Sequence, residues 1–271
     1  METDKTIAKP DWLTVSAIAV VAHALSVSIH EALGHGGTCI AVGCTPRLLT
    51  TMQFQGDEHS LPKLAVDAIS AGGSVANLVA AALAMLLLRR HRGPARSVWF
   101  FLWLFATVNL LAAAGYPLYS GLANIGDWAN IVRSLKPAWL WHVVLAGIGA
   151  ISYWFATRWA IDRLGRRLWG AGSRVSCAYS YTLVSYVAIG AFAIIAGIFE
   201  PGGTFLVLIS AAAGSLGGAS ALAWGPQLLR DPHLGEPPEE PLQVPRDTHW
   251  IIVAALISLA FVAVLGPGLS L

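Results

Sequence analysis

The segment "SIHEALGHGG", residues 28 to 37, combines two histidines and a glutamate, the residue types of a zinc hydrolase. In the common pattern H-E-x-x-H the histidines are four residues apart on one helix face and bind zinc, while the glutamate is the general base. Here His30 and His35 are five residues apart. In a regular helix, at about 100° per residue, they would point about 140° apart and would not share one ion.

A local change of the helix would remove this difficulty. A one-residue π-bulge brings side chains five apart together, and such bulges gather at functional sites. Gly34, directly before His35, is the residue type that best tolerates a change of backbone conformation. The sequence therefore predicts a distorted turn near Gly34 in which His30 and His35 bind one metal ion, with Glu31 as the base.

The composition of the chain indicates that this motif lies in a membrane. Of 271 residues, 56% are hydrophobic and only 12% are charged, whereas soluble domains average about 25% charged residues. Seven stretches without charge are long enough to cross a bilayer: 12–30, 68–88, 97–126, 137–157, 175–199, 201–229 and 248–271. We therefore predict an all-α polytopic transmembrane helical bundle with about seven crossings, and a short strand or hairpin within 46–62, after the first helix.

The arginines predict the orientation of the bundle. Two clusters, in 89–96 and 158–174, are separated by two crossings, so the positive-inside rule assigns both to the cytoplasm. The N-terminus is then cytoplasmic, and the connections 40–65 and 115–136 lie outside. A net charge of +2 is too small to indicate nucleic acid as a partner. The sequence predicts an integral membrane protein, in the plasma membrane, with the lipid bilayer around it.

Two regions are predicted along the chain. Residues 1–136 form a metalloprotease-like membrane core of three helices plus surface segments, and 137–271 form a four-helix membrane region of unknown role. The three cysteines, Cys39, Cys44 and Cys177, lack a C-x-x-C spacing and predict no disulfide framework. Cys39 is interpreted as a small apolar core residue.

Two further polar residues have both a structural and a functional interpretation. Asn77 lies in an apolar helix, where it either hydrogen-bonds a neighbouring helix or contributes to the site. Asp127 is the only acid in 97–136, and it either caps a short helix or supplies a third metal ligand. Gly115 and Pro117 are predicted to break the third crossing. Two histidines, one carboxylate and a water would complete a tetrahedral zinc site with an open position.

The order of these motifs resembles that of the site-2 protease family of intramembrane metalloproteases. "HEALGH" (30–35) corresponds to the family's H-E-x-x-H, and it also resembles the H-E-x-x-G-H of dipeptidyl peptidase III. "GSVAN" (73–77) corresponds to G-P-x-x-N, with Ser74 where proline is usual. "NLL…GDW" (109–128) corresponds loosely to N-x-x-P…D-G, with Trp128 where glycine is usual.

The resemblance implies a fold, a cofactor and residue roles. It implies Zn²⁺ held by His30, His35 and Asp127, with Glu31 as general base. Asn77 would hold the substrate backbone or stabilise the oxyanion. The polar segment after the first helix would present a strand edge to a membrane protein or peptide substrate.

Three functions are compatible with these residues. The preferred one is a zinc metalloprotease that hydrolyses peptide bonds of membrane-associated or transmembrane substrates. The alternative is a non-proteolytic metal-binding membrane protein, a transporter or a sensor. His23 favours it because it lies seven residues before His30, on nearly the same helix face. The third is a structural role in which backbone or serine groups satisfy the histidines.

Overall fold

The computed structural model describes residues 9–168, 174–207, 214–229 and 241–271, which are mostly helical. The α-helices are α1 (Trp12–Ser28), α2 (Gly37–Ala41), α3 (Lys63–Arg90), α4 (Ser97–Ala123), α5 (Asp127–Val132), α6 (Ala138–Leu168), α7 (Arg174–Ala178), α8 (Val184–Ala196), α9 (Gly203–Val207), α10 (Ser220–Ala223), α11 (Gly225–Leu228) and α12 (Thr248–Ala260). π-Helical segments include Ile29–Gly36, Tyr179–Leu183 and Phe261–Leu265, and Gly197–Phe199 is a 3₁₀ turn. The strands are β1 (Thr45–Leu49), β2 (Phe54–Asp57) and β3 (Leu269–Ser270).

Six helical segments of the described residues are long and apolar enough to cross a membrane: Trp12–Ala41, Lys63–Arg90, Ser97–Ala123, Ala138–Leu168, Ser176–Phe199 and Thr248–Leu265. They agree with the predicted all-α membrane bundle. The remaining predicted crossing, 201–229, includes residues 208–213, which lie outside the described residues. On either side of those residues the described α-helices, α9 to α11, have only four or five residues each. The count of seven stays a prediction.

Helix α1 lies in the centre of the bundle. It begins after Asp11, whose carboxylate accepts a hydrogen bond from the Thr14 backbone N–H at 2.8 Å, the usual chemistry of an N-cap. Its residues Val15, Ile18 and Ala19 are fully buried, and α4, α8 and α12 pack around it. The predicted core and the C-terminal region therefore share one packed interior along α1.

The outer surface of the bundle is apolar. On α6, which packs against α4, six large apolar side chains are more than half exposed: Trp139, Val143, Ile148, Ile151, Trp154 and Phe155. A continuous apolar face of this kind is unfavourable in water and is suited to lipid tails. The exposed face of α6 is therefore compatible with a helix that contacts lipid.

Helix α4 contains no break. It runs from Ser97 to Ala123 with Pro117 inside it and ends at Asn124, which has a left-handed φ of 56°. The prediction that Gly115 and Pro117 break this crossing is wrong. Proline is tolerated within transmembrane helices because neighbouring helices and local adjustments satisfy the backbone groups that it frees. The unbroken helix leads directly to the short turn before Asp127.

The strand or hairpin predicted after the first helix is present. Strands β1 and β2 pair antiparallel, with Leu49 opposite Phe54. The C-terminal strand β3 pairs antiparallel with the other edge of β1, which gives the order β2-β1-β3. Both edges of β1 are therefore occupied within the sheet, and β2 is an edge strand.

A disulfide fixes this sheet to the end of the first membrane helix. Cys39, in α2, is bonded to Cys44, directly before β1, so the interpretation of Cys39 as an apolar filler is wrong. Both sulfurs lie against Gly56 of β2, where an added Cβ would come within 2.5 Å of Cys44 Sγ. The bridge joins residues only five apart and therefore acts locally on the hairpin.

Candidate metal centre

The first membrane helix changes to π-helical geometry where the histidines lie, over Ile29–Gly36. At its end the Gly37 backbone N–H donates to the Ala32 carbonyl, five residues back. Because a π-turn closes with i→i+5 hydrogen bonds, side chains five apart lie on nearly the same face. The rings of His30 and His35 are accordingly 4.8 Å apart between centroids. The predicted distortion is confirmed.

Asp127 lies between the two imidazoles. Its Oδ2 is 3.3 Å from His30 Nε2 and 3.4 Å from His35 Nε2, and the three potential ligand atoms lie within 4.8 Å of one another. A tetrahedral ion with bonds of about 2.0–2.1 Å spaces its ligands about 3.3–3.4 Å apart, whereas a direct N–H···O hydrogen bond is about 2.9 Å. The two distances from Asp127 to the histidine nitrogens match this ligand spacing. The triad could therefore hold a metal ion.

Both histidines have the tautomer that a metal site requires. Asn77 Nδ2 donates to the Ser26 carbonyl at 3.2 Å, so Asn77 Oδ1 is the acceptor for His30 Nδ1 at 2.6 Å. His35 Nδ1 contacts the Ile69 carbonyl oxygen at 2.7 Å, and a carbonyl oxygen only accepts. Each Nδ1 therefore carries a proton, so each Nε2, which faces Asp127, is the nitrogen that can bind a metal ion. Metal-binding histidines are usually oriented in this way by such partners.

The position of Asp127 depends on the turn before it and on its neighbour. Gly126 has φ of 87°, and α5 begins directly after it without a side-chain cap, so the helix-cap interpretation of Asp127 is wrong. Trp128 Nε1 donates to Ser74 Oγ at 3.0 Å, which ties α5 to α3. Trp128 and Ser74 are two of the positions at which the chain departs from the site-2 protease motifs. Their contact with each other holds Asp127 beside the histidines.

The carboxyl of Asp127 is in the charged form that a ligand needs. Burial raises its pKa, but the contacts with His30 and His35 lower it by more, so the pKa lies well below its usual range. At neutral pH this group is a carboxylate. One carboxylate and two imidazole rings are a donor set that suits zinc.

Glu31 is next to a ligand but makes a different contact. Its carboxylate accepts a hydrogen bond from the Phe54 backbone N–H at 2.8 Å, and its side chain is buried. Phe54 is the first residue of β2, so this edge strand faces the triad. Glu31 is thus held near the histidines, and it is left outside the group of ligand atoms.

Two cavities meet at this place. The larger, about 650 Å³, is lined by Glu31, His35 and Asp127 together with β2 and the end of α4. The smaller, about 80 Å³, is lined by His23, His30 and Asn77 among other residues. Tyr116 lines both, and its ring stacks on that of His30, with centroids 4.5 Å apart. A substrate in the larger cavity would contact His35 and Asp127 of the triad directly.

Asn77 is fully buried, and both the oxygen and the nitrogen of its side-chain amide form hydrogen bonds. Besides His30 it contacts Asn109, whose Oδ1 accepts from Asn77 Nδ2 at 2.7 Å. Ser26 Oγ also donates to that Asn109 oxygen, at 3.2 Å. This network favours a role for Asn77 in orienting His30. Its predicted contact with a substrate backbone or oxyanion stays a prediction.

We expect Asn77→Ala to weaken metal binding about 10- to 100-fold, because loss of an outer-shell partner typically has this effect. Asn77→Asp retains an acceptor for His30 Nδ1 and should bind metal more tightly than the alanine variant. Metal affinity is measured by competition with a chromophoric chelator. A variant that binds metal normally but loses only turnover would instead support contact with the substrate.

Glycines of α3 make room for the π-helical segment. A Cβ on Gly34 would lie 2.5 Å from Gly73 Cα, and a Cβ on Gly73 would lie 2.5 Å from His30 Nε2. Gly34 is not at positive φ, so close packing, rather than backbone freedom, requires glycine at this position. The pair lets α3 approach closely enough to support the His30 ring.

We therefore expect Gly73→Ala to displace the His30 ring and to weaken metal binding by at least about tenfold. Gly37→Ala is the matched control, because a Cβ there meets nothing within 4 Å. Both substitutions raise helix propensity, so loss of helix would not explain a difference. Equal metal affinity in the two variants would contradict the close packing of His30 on Gly73.

Comparison with protein-family models, with curated proteins and with solved structures finds no match to this chain. The resemblance to site-2 proteases therefore stays a prediction that rests on the order of motifs. The candidate metal centre rests instead on the positions of His30, His35 and Asp127 in the structure.

Several groups around the triad were not predicted. Tyr116, the Phe54 N–H and the Ile69 carbonyl have no sequence signal, because any residue type can supply a backbone group and a lone aromatic is common in a membrane helix. Asn109 was singled out only as the start of a motif. Its position in a long apolar helix was the available signal, because a buried amide there needs a partner.

Proposed function

We propose that this chain is a membrane-embedded zinc metalloprotease that hydrolyses peptide bonds of transmembrane or membrane-associated substrates. One observation carries the proposal: His30, His35 and Asp127 converge beside Glu31, in a cavity large enough for a peptide segment. Metal-dependent hydrolysis needs this combination of ligands, an adjacent base and an open side for the substrate.

The donor set supports zinc over other common cations. Two imidazole nitrogens and one carboxylate oxygen suit zinc, whereas magnesium and calcium prefer oxygen ligands alone. Three protein ligands leave a fourth position open, as in catalytic zinc sites. When bound, zinc supplies Lewis-acid polarisation of the scissile carbonyl and lowers the pKa of a coordinated water to about 7.

Glu31 is the group of this chain that moves the proton. Its carboxylate accepts a proton from the attacking water and then donates it to the leaving amine. The Phe54 N–H, which donates to one carboxylate oxygen, orients the side chain for both steps. His30 and His35 keep their Nδ1 protons throughout, since Asn77 and the Ile69 carbonyl hold them.

The substrate is proposed to enter beside β2. A helical substrate hides its carbonyls in hydrogen bonds, so it must unwind locally before it can be cleaved. An unwound segment can add to the edge of a sheet by backbone hydrogen bonds. Both edges of β1 are already paired, so β2, whose first residue contacts Glu31, is the strand that would receive it.

The site is proposed to open on the side of the membrane away from the cytoplasm. The Cys39–Cys44 disulfide lies at the same end of the bundle as the triad, and disulfides persist in oxidising compartments. The arginines at the ends of α3 and α6 lie at the opposite end, as the positive-inside rule requires for a cytoplasmic face. This supports a cytoplasmic N-terminus and a location in the plasma membrane.

The proposal is tested by metal removal from protein reconstituted with a quenched-fluorescence transmembrane peptide library. We expect cleavage, its complete loss after treatment with 1,10-phenanthroline, and its recovery when zinc is added back. The matched control is the same treatment with a non-chelating phenanthroline isomer, which should leave cleavage unchanged. Cleavage that persists in the fully metal-free protein would overturn the proposal.

A second candidate is a metal-binding transporter, and His23 favours it. This imidazole is buried, packs edge-on against Phe192 with ring centroids 6.2 Å apart, and lines the small cavity together with His30. A chain of such groups could conduct ions or protons into the membrane. Zinc flux into proteoliposomes that is abolished by His23→Ala and unaffected by Glu31→Gln would favour this function over proteolysis.

A further inference from the structure

The end of the bundle opposite the triad contains a second cavity of distinct chemistry. It has a volume of about 290 Å³ and is lined by Arg89, Trp159, Asp162, Arg163 and Arg166. Arg89 is in the last turn of α3, and the other four residues are in the C-terminal part of α6. The cavity therefore lies between the ends of two membrane helices.

This cavity lies at the level of lipid headgroups. Helix α6 has 31 residues, about 46 Å at ~1.5 Å per residue, whereas the hydrocarbon core is about 30 Å thick. Its last turns, which carry the cavity residues, therefore project from the hydrocarbon. Trp159 at this level is typical of the membrane interface.

The charge of the cavity is positive and incompletely compensated. Three guanidinium groups line it together with one carboxylate, Asp162, which also pairs with Arg158 at 3.7 Å. Within the described ranges no ion pair engages Arg89, Arg163 or Arg166. Like charges held this close repel one another, and an anion between them removes the repulsion.

Arginine is suited to one class of anion. Its planar guanidinium forms paired hydrogen bonds with phosphate oxygens, and basic pockets between membrane helices on the cytoplasmic side bind anionic lipid headgroups. We infer that the cavity formed by Arg89, Arg163 and Arg166 binds the phosphate group of an anionic phospholipid. This inference is independent of the triad and of proteolysis.

The test measures which phospholipid stays bound to the full-length protein. Protein in neutral detergent is titrated with phosphatidylglycerol or with phosphatidylcholine, and bound lipid is counted by native mass spectrometry. The cavity variant is Arg89→Gln, Arg163→Gln and Arg166→Gln together. The control is Arg90→Gln, Arg92→Gln and Arg96→Gln together, with the same charge change at the same end of the bundle but outside the cavity.

We expect the wild type to prefer phosphatidylglycerol, the cavity variant to lose roughly tenfold or more of that affinity, and the control to retain it. An equal loss in both triple variants would assign the effect to surface charge and overturn the inference. So would equal binding of the two lipids. Inorganic phosphate that displaces the lipid at a similar concentration would assign the cavity to a soluble phosphate and overturn the lipid assignment.

The half-buried Arg163 provides a second variant if the triple one does not fold. Arg163→Gln alone should lower phosphatidylglycerol affinity, with an unchanged thermal unfolding curve in lipid-free detergent. Unchanged lipid affinity in a folded Arg163→Gln protein would contradict the site.

Discussion

Glu31→Gln is expected to lower kcat/KM for peptide hydrolysis by about 10³-fold, within the range that a general base contributes, while zinc stays bound. Glutamine has the same shape, and its amide oxygen can still accept the hydrogen bond that Glu31 receives from the Phe54 N–H. It cannot accept a proton from water. Because Glu31 is outside the group of ligand atoms, the metal content of the variant should equal that of the wild type.

The matched control for this experiment is Glu58→Gln. Glu58 is a carboxylate that lines the same cavity and lies close enough to His35 to interact with it electrostatically, but it is not among the three ligand residues. Its replacement should lower kcat/KM far less than Glu31→Gln does. Cleavage by Glu31→Gln at the wild-type rate, measured with the same substrate and zinc content, would remove Glu31 from the mechanism.

Asp127→Asn is expected to weaken zinc binding by more than about 100-fold. Loss of an outer-shell partner already costs about 10- to 100-fold, and Asp127 supplies the only negative charge among the three ligand atoms. An asparagine oxygen at the same position is neutral and is a weaker ligand. The affinity is measured by competition with a chromophoric chelator at fixed pH.

This variant should remain folded. The helix that carries Asp127 is held to α3 by the Trp128–Ser74 hydrogen bond and by the contact of Lys63 Nζ with the Ile131 carbonyl. Asp67→Asn is a suitable control, because Asp67 is a carboxylate on α3 that pairs with Lys63 and lies outside the triad. Normal zinc affinity in Asp127→Asn would mean that this carboxylate is no ligand.

The central distortion of the site followed from the sequence because the helix period left only one geometry for a shared ion. Histidines five apart on a regular helix diverge, so the motif either had no joint function or required a π-turn. The structure has the π-turn. The hairpin followed similarly from a polar, weakly alternating segment between two apolar helices.

The features that could not be predicted mostly depend on contacts between residues far apart in the sequence or on segments too short to show a pattern. The Trp128–Ser74 contact joins residues 54 apart, and each of them alone was only a departure from a motif. Strand β3 has two residues, too few for any periodic pattern. The disulfide spans a short loop, where spacing alone does not distinguish a bridge from two packed thiols.

The prediction of a helix break at Pro117 is wrong for a different reason. A rule for helices in water predicts a break at a buried proline, but within a membrane-spanning helix neighbouring helices and local adjustments can satisfy the backbone groups that proline frees. The helix therefore continues to Ala123. This continuity, with the turn at Gly126, is what returns Asp127 to the level of the histidines.

X-ray absorption spectroscopy of the purified chain, together with its metal content, tests whether His30, His35 and Asp127 bind one zinc ion. We expect one zinc per chain with nitrogen and oxygen ligands at about 2.0–2.1 Å, and a spectrum that contains two imidazoles in the wild type and one in His35→Ala. A wild-type protein without stoichiometric metal, or a zinc ion whose ligands are unchanged in both His35→Ala and Asp127→Asn, would contradict it.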